Sequence, residues 1–384
     1  MDLKTLAELP PFRKLASKTR SSLFDAASGH HKPVPSHVDE VPRLYIQSLG
    51  GYADTLTLIL LSMASALGLR SVHYLLPGAR PFDLLERKLI LFPGWIPPRY
   101  SYEDDISGSG LSLSGFDSPL LEIMASALNE LPGDGDKELL RAGVALLISG
   151  FDAVVFDLQI ALGTPFPDLP RAMNAAQGLQ RLCACLNIRC AVMIRDLFRP
   201  AGRAFGDGPE IQEALSTLRG STPYSLLKLV LEFGSEIMEL TGISKNKVEA
   251  RIRMKDILLS REAADHLRDM VVNAGGDFDA WNNSTRLPFH ESKSSVSIDR
   301  EGYMHGLNIS LISRVLEELR RTHPASGFTL HKFPGDLLRP GEELFSVHEC
   351  PESLFSSIRR NLRLSTDLRP SPPPYQPLIS FRLK

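Results

Sequence analysis

The sequence predicts an α/β fold with a doubly wound, largely parallel sheet, followed by a small C-terminal α+β module. Three observations lead there. Short apolar strands alternate with helical periodicity between Arg43 and Ile194. A helical block follows over 210–273. From Ser294 short strands alternate with only two helices. Fully apolar strands separated by helices are buried on both faces, as parallel strands are.

The first unit is Arg43–Leu69, which reads as a strand (Leu44–Gln47), a turn at Gly50-Gly51 and a helix from about Asp54. Asp54 or Thr55 can cap that helix, and Leu56, Leu60, Met63, Ala64 and Leu67 share one apolar face. Strand, glycine loop and helix together can cradle an anion, because backbone N–H groups and the helix N-terminus converge on the loop. The same residues also fit an ordinary tight turn. Val72–Leu76 is the next strand. Residues 101–118, rich in Ser, Gly and Asp, read as a loop or lid. Helical periodicity returns at Leu120–Leu131 and Lys137–Ser149. Asp152–Leu158 and Arg189–Ile194 are strands, and the helix between them starts near Asp168.

Four helices are then expected at Glu210–Leu218, Pro223–Thr241, Lys245–Leu259 and Arg261–Asn273. In the last module strands are expected at Ser295–Ile298, Tyr303–Ile309, Phe328–Phe333, Leu344–His348 and Pro377–Phe381. Its helices are Ser310–Arg321 and Pro351–Leu362. The expected boundaries are a linker over 1–42, an α/β lobe over 43–290 with a helical insert at about 101–150, and the module over 291–384.

The chain has 384 residues, 43% hydrophobic and 23% charged, and a net charge of −2. That balance gives no electrostatic case for nucleic acid or for a membrane surface. Met1–Arg20 mixes charges throughout, unlike a secretory leader. Cys183, Cys185 and Cys190 form a C-x-C-x4-C pattern that is weak metal spacing without a partner cluster, and with Cys350 they read as buried thiols in a reduced, cytoplasmic setting. His30-His31 reads as part of a solvated linker. Neither a metal nor a cofactor is expected.

Arg199–Gly206 (RPAGRAFG) and Glu210–Ala214 (EIQEA) resemble the "PLGRxxGxxxEVxEA" segment of pyrimidine-nucleoside (thymidine) phosphorylases. Gly150–Leu158 is similar to their "GLDALVxDVK" strand. The residues Gly327–Lys332, Gly335-Asp336, Gly341-Glu342 and Leu344–His348 resemble "GIVLHKKxGDxVxxGEPLAxIH". The resemblance implies a helical lobe packed against a large α/β lobe, with the terminal module attached to the latter. It implies a small-molecule, nucleoside-like ligand in the interlobe cleft, and a homodimer as the usual assembly. The family's chemistry moves a pentose from a pyrimidine to phosphate, by positioning and electrostatics.

Against the family's "KHSTGGVGDKVS" loop, Ser48, Gly50, Gly51 and Asp54 match, while Ile46, Gln47 and Thr55 stand where Lys, His and Lys are found. In the second loop Asp83 matches and Arg80 is the one cation left. Ser126 fits the serine of "ASIL", but Glu130 replaces the catalytic lysine and Gln159 replaces the strand lysine of "DVK". The matching arginine falls in Ser101–Ala125, which has none. A carboxylate where the leaving base becomes anionic opposes that transition state. The candidate catalytic residues are thus Ser126, Glu130 and Asp83. The candidate ligand-binding residues are Ser48, Gly50, Gly51, Asp54, Thr55 and Arg80. Asp157 is a further carboxylate candidate, and Arg80, Arg195, Arg199 and Arg203 are candidate replacement cations. Three readings follow: an enzyme repurposed for a nucleoside-like or pentose–heterocycle substrate, a non-catalytic binding protein, and an active phosphorylase.

Overall fold

The structure, a computed structural model, describes residues 43–49, 54–67, 70–75, 111–115, 153–161, 164–185, 187–221, 223–273, 276–279, 293–375 and 377–384. The expected helices Leu120–Leu131 and Lys137–Ser149, the linker over 1–42, and Gly50, Gly51, Arg80, Asp83, Ser126 and Glu130 lie outside the described residues.

The main sheet has six strands. Five are parallel: β1 (Arg43–Leu49), β2 (Arg70–Leu75), β3 (Leu111–Gly115), β4 (Ala153–Ile160) and β5 (Arg189–Asp196). The sixth is β13 (Phe381–Leu383), and the order is β13-β5-β4-β1-β2-β3. Strand β4 is buried along almost its whole length, and β5 along its centre. This is the expected pattern for apolar runs covered on both faces. Helix α1 (Asp54–Ala66) follows β1. Its buried Leu56, Ile59, Leu60, Met63 and Ala64 recur at helical spacing. Helix α2 (Leu169–Cys185) joins β4 to β5 and buries Ala172, Ala175, Ala176, Leu179, Leu182 and Cys183.

Two expectations fail in this sheet. The 101–118 stretch is not all loop, because Leu111–Gly115 forms β3, parallel to β2. Its Leu-Ser-Leu-Ser alternation has the period of a strand, which the Ser and Gly content obscured. The last strand is β13, not Pro377–Phe381, and it leaves the module to pair antiparallel with β5. Proline cannot donate to a ladder, so pairing begins only beyond Pro377. Strand β13 thereby satisfies the outer edge of β5.

The helical block comprises α3 (Asp207–Leu218), α4 (Tyr224–Leu240), α5 (Lys247–Ser260) and α6 (Glu262–Asn273). Asn246 caps α5, accepting from the Val248 and Glu249 amides at 3.1 and 3.0 Å. These helices share one apolar core with α1 and with Ala153, Val155 and Met193 of the sheet.

The module contains β7 (Lys293–Ser297), β8 (Gly302–Leu307), α7 (Ile309–Thr322), β9 (Gly327–Leu330), β10 (Leu337–Leu338), β11 (Glu343–His348), α8 (Glu352–Ser365) and β12 (Thr366–Arg369). Its two sheets run β10-β8-β12 and β6-β9-β11-β7, the second joined by a short strand from outside the module, β6 (Ala204–Phe205). Strand β12 was not expected from sequence. Phe328 anchors the module core, stacked on Phe205 at 4.8 Å and edge-on to Phe345 at 5.4 Å. Ala161 and Leu197, just past the ends of β4 and β5, join that core.

Backbone meets backbone where β6 enters the module. A Cβ on Gly327 would lie 2.1 Å from the Phe205 carbonyl oxygen and 3.0 Å from Gly206 Cα. Gly178 of α2, in contrast, has nothing within 4 Å of such a Cβ. Gly327→Ala is therefore expected to lower stability by about 2 kcal/mol or more. Gly178→Ala is expected to raise it by about 0.5–1 kcal/mol. Denaturant titration of both variants checks the contrast.

Candidate functional site

In parallel sheets ligands gather beyond the carboxyl ends of the strands. Here those ends bring together β1, β4 and β5. Ser48 of β1 is in register with Asp157 of β4, Asp157 with Met193 of β5, and Gln159 with Arg195. Helix α1 begins beside them at Asp54, and Thr55 is buried in its first turn. Ser48 and Asp54 are placed by their backbone. Because side chains alternate along a strand, Asp157, Gln159 and Arg195 share the face of Ala153, Val155 and Met193, toward the helical block.

These three residues form one buried polar cluster, with Asp157 1%, Gln159 0% and Arg195 5% exposed. Arg195 Nε donates to Asp157 Oδ1 at 2.7 Å, and Arg195 Nη2 donates to Oδ2 at 2.9 Å. Gln159 Nε2 donates to the same Oδ2 at 2.7 Å. A fork of this kind is the strongest form of carboxylate–guanidinium contact. Gln159 occupies the position at which the family resemblance implies a lysine. The positive charge beside Asp157 comes instead from the adjacent strand, through Arg195.

The other two candidate cations among the described residues serve the scaffold. Arg199 Nη1 donates to the Pro374 carbonyl at 3.2 Å. Arg203 lies over the Phe333 ring, 5.2 Å from its centroid. Sequence reasoning named Asp157, Gln159 and Arg195 separately and missed that they are one unit. The signal was available in the i, i+2 spacing on β4 and the pairing of β4 with β5, but fixing the register required the fold.

Three further groups bear on chemistry. In the module, Ser346 Oγ donates to Glu343 Oε1 at 2.7 Å, and His331 Nε2 lies 2.7 Å from the same hydroxyl. The hydroxyl proton is committed to the carboxylate, so the histidine donates rather than accepts. That is the reverse of what an activated serine needs. Cys183 is buried, as expected, while Cys190 and Cys350 are half-buried, and burial pushes the Cys350 thiol up. Among the described residues no group of His, Cys, Asp and Glu could hold a metal ion. Likewise, no helix there is long and apolar enough to cross a membrane.

Glu213 of α3 accepts the Arg203 amide at 2.6 Å and the Ala204 amide at 3.4 Å. It lies so close to Gly202 that a Cβ there would be 2.2 Å from its Oε2. Burial raises its carboxyl to about 7, against the lowering effect of the two backbone donors.

Pyrimidine-nucleoside phosphorylases of Staphylococcus aureus strains USA300 and N315 are each 30% identical to this chain over 222 residues, 56% of this chain and 51% of theirs. The chain thus spans about half the length of the curated relatives it matches. The crystal structure of anthranilate phosphoribosyltransferase from Thermus thermophilus aligns with 62% of this chain and 79% of its own, at 18% identity and a TM-score of 0.45. No protein-family model matches. The fold is α/β, with a mostly parallel main sheet, a helical block and a terminal α+β module. Over the stretch they share, the chain is similar to the pyrimidine-nucleoside phosphorylases.

Glu213 gives a pH prediction. Its folded pKa lies above the unfolded value, so the folded chain binds more protons between the two. The stability it contributes is full below about pH 4.5 and is lost as pH rises through about 7. Between pH 5 and 8 the wild-type chain is expected to lose about 2 kcal/mol more than Glu213→Gln, after allowance for partial exposure. Paired urea titrations across that range check it.

Proposed function

We propose that this chain binds a nucleoside-like or other pentose–heterocycle ligand at the carboxyl edge of the parallel sheet, and that it acts at the glycosidic carbon without standard phosphorolysis. The observation that carries this reading is the state of charge at that edge. Phosphate attack needs cations that are free to hold a dianion and to steady the leaving base. At the described part of this edge the charge of Arg195 is balanced by that of Asp157, and residue 159 is a neutral glutamine, so the cluster offers no net positive charge. The sequence supports the same direction, since Glu130 stands where the resemblance implies a catalytic lysine.

Chemistry suited to such a site uses water. A carboxylate, with Glu130 or Asp83 the candidates, takes a proton from water as its oxygen bonds to the anomeric carbon. The bond from that carbon to the ring nitrogen breaks, and the base leaves with its electron pair and acquires a proton. Ser126 and the Gly50-Gly51 turn, with Ser48, Asp54, Thr55 and Arg80, are the proposed ligand contacts. The ion-paired state of Arg195 also suits a second reading, a ligand-binding protein without turnover.

Release of uracil or thymine from uridine and thymidine, with and without inorganic phosphate, tests the proposal. The expected result is thermal stabilisation by nucleosides and base release that does not depend on phosphate. Stabilisation with no release selects the second reading. Phosphate-dependent release at ordinary enzyme rates contradicts both.

A further inference from the structure

We infer that Arg195 anchors an oxyanion of the ligand, a phosphate or carboxylate oxygen, through Nη1. This rests on the reading above, in which a ligand occupies the carboxyl edge of the sheet.

Three observations carry it. First, the ion pair is costly for a purely structural device. Its side chains are 7% and 2% exposed, and a buried pair is often no more stabilising than apolar residues of the same volume. Second, the pair uses only part of the guanidinium. Asp157 takes Nε and Nη2, and no described residue accepts from Nη1. Third, Arg195 lies at the place where parallel sheets receive ligands. It is the penultimate residue of β5, in register with Gln159, the penultimate residue of β4.

Together these make a preorganised donor. Asp157 fixes the plane of the guanidinium, and Gln159 holds Asp157 through the shared Oδ2. Arginine keeps its charge at any working pH, so the remaining amino group stays a donor. An oxyanion placed there receives a charge-assisted hydrogen bond without reorienting the side chain. The Asp157 charge offsets much of the long-range attraction. The site therefore favours a ligand whose oxyanion is delivered by the rest of its body over free phosphate.

The test measures binding of uridine, uridine 5′-monophosphate, orotate and inorganic phosphate by titration calorimetry. The proteins are wild type, Arg195→Lys, and the double variant Asp157→Asn/Arg195→Gln, which replaces the charged pair by neutral amides and guards against an unpaired buried charge. Wild type is expected to bind an anionic probe, uridine 5′-monophosphate or orotate according to the source of the oxyanion, more tightly than uridine. That probe is expected to weaken about tenfold or more in the double variant, with uridine changed less than about threefold. Arg195→Lys is expected to fall between, because it keeps the charge and loses the fork. Undiminished binding of both anionic probes by either folded variant overturns the inference alone. Failure of wild type to bind any nucleoside-like probe overturns it together with the reading it rests on. Binding of inorganic phosphate that is lost with Arg195 supports the anchor and counts only against that reading.

Discussion

Asp157 and Arg195 form a buried ion pair near the carboxyl ends of two neighbouring parallel strands. Their geometry depends on the β4–β5 register, and that register depends on the apolar strand residues around them. Val155 and Met193 on the same face lie in the core shared by α1 and the helical block. Displacing either strand by one residue would turn one charge toward the opposite face and leave its partner unpaired. The pair therefore ties the position of the candidate site to the packing of the lobe. It also decides the electrostatics of the edge, since a guanidinium bound to a carboxylate behaves differently from a free lysine.

A second constraint lies where β5 hands over to the helical block and the module. Gly306 packs on Phe198 so closely that a Cβ would be 2.2 Å from its ring. Gly206, at φ +100°, meets the Ser326 carbonyl. Asp207 at the start of α3 pairs with Arg320 of α7 at 3.2 Å. On the other side, Glu232, Glu236 and Glu239 of α4 hold Arg382 and Lys384, which lie within and just beyond β13. The module is thus joined to the α/β lobe through β6 and through the returning chain as well as through these side-chain contacts. The returning chain pairs directly with β5, the strand that carries Arg195.

Much of this was legible in the sequence. Apolar runs such as Val154–Leu158 and Ala191–Ile194 marked buried parallel strands. The 3.6-residue periodicity of Ile312, Val315, Leu316 and Leu319 marked α7, although Ile309, read as the end of the preceding strand, opens the helix. Strand β3 was hidden because its serines read as loop, and β13 because nothing local says which sheet edge a terminal strand will cover. For the site, residue types were visible and relationships were not. Gln159 looked like a lost cation, and Arg195 like one of four substitutes. Only strand pairing, a property of residues 36 positions apart, shows that they face each other across one register. Arg199 and Arg203 carry the same charge as Arg195, and burial and partners alone separate scaffold from site.

Asp157 and Arg195 act as one buried unit. A double-mutant cycle on folding stability, with Asp157→Asn, Arg195→Gln and the two together, tests that most directly. Coupling of about 2 kcal/mol or more is the predicted result, because each single change strands a buried charge that the double change removes. Additivity within about 0.5 kcal/mol would contradict the account, since two residues that do not share a contact behave that way.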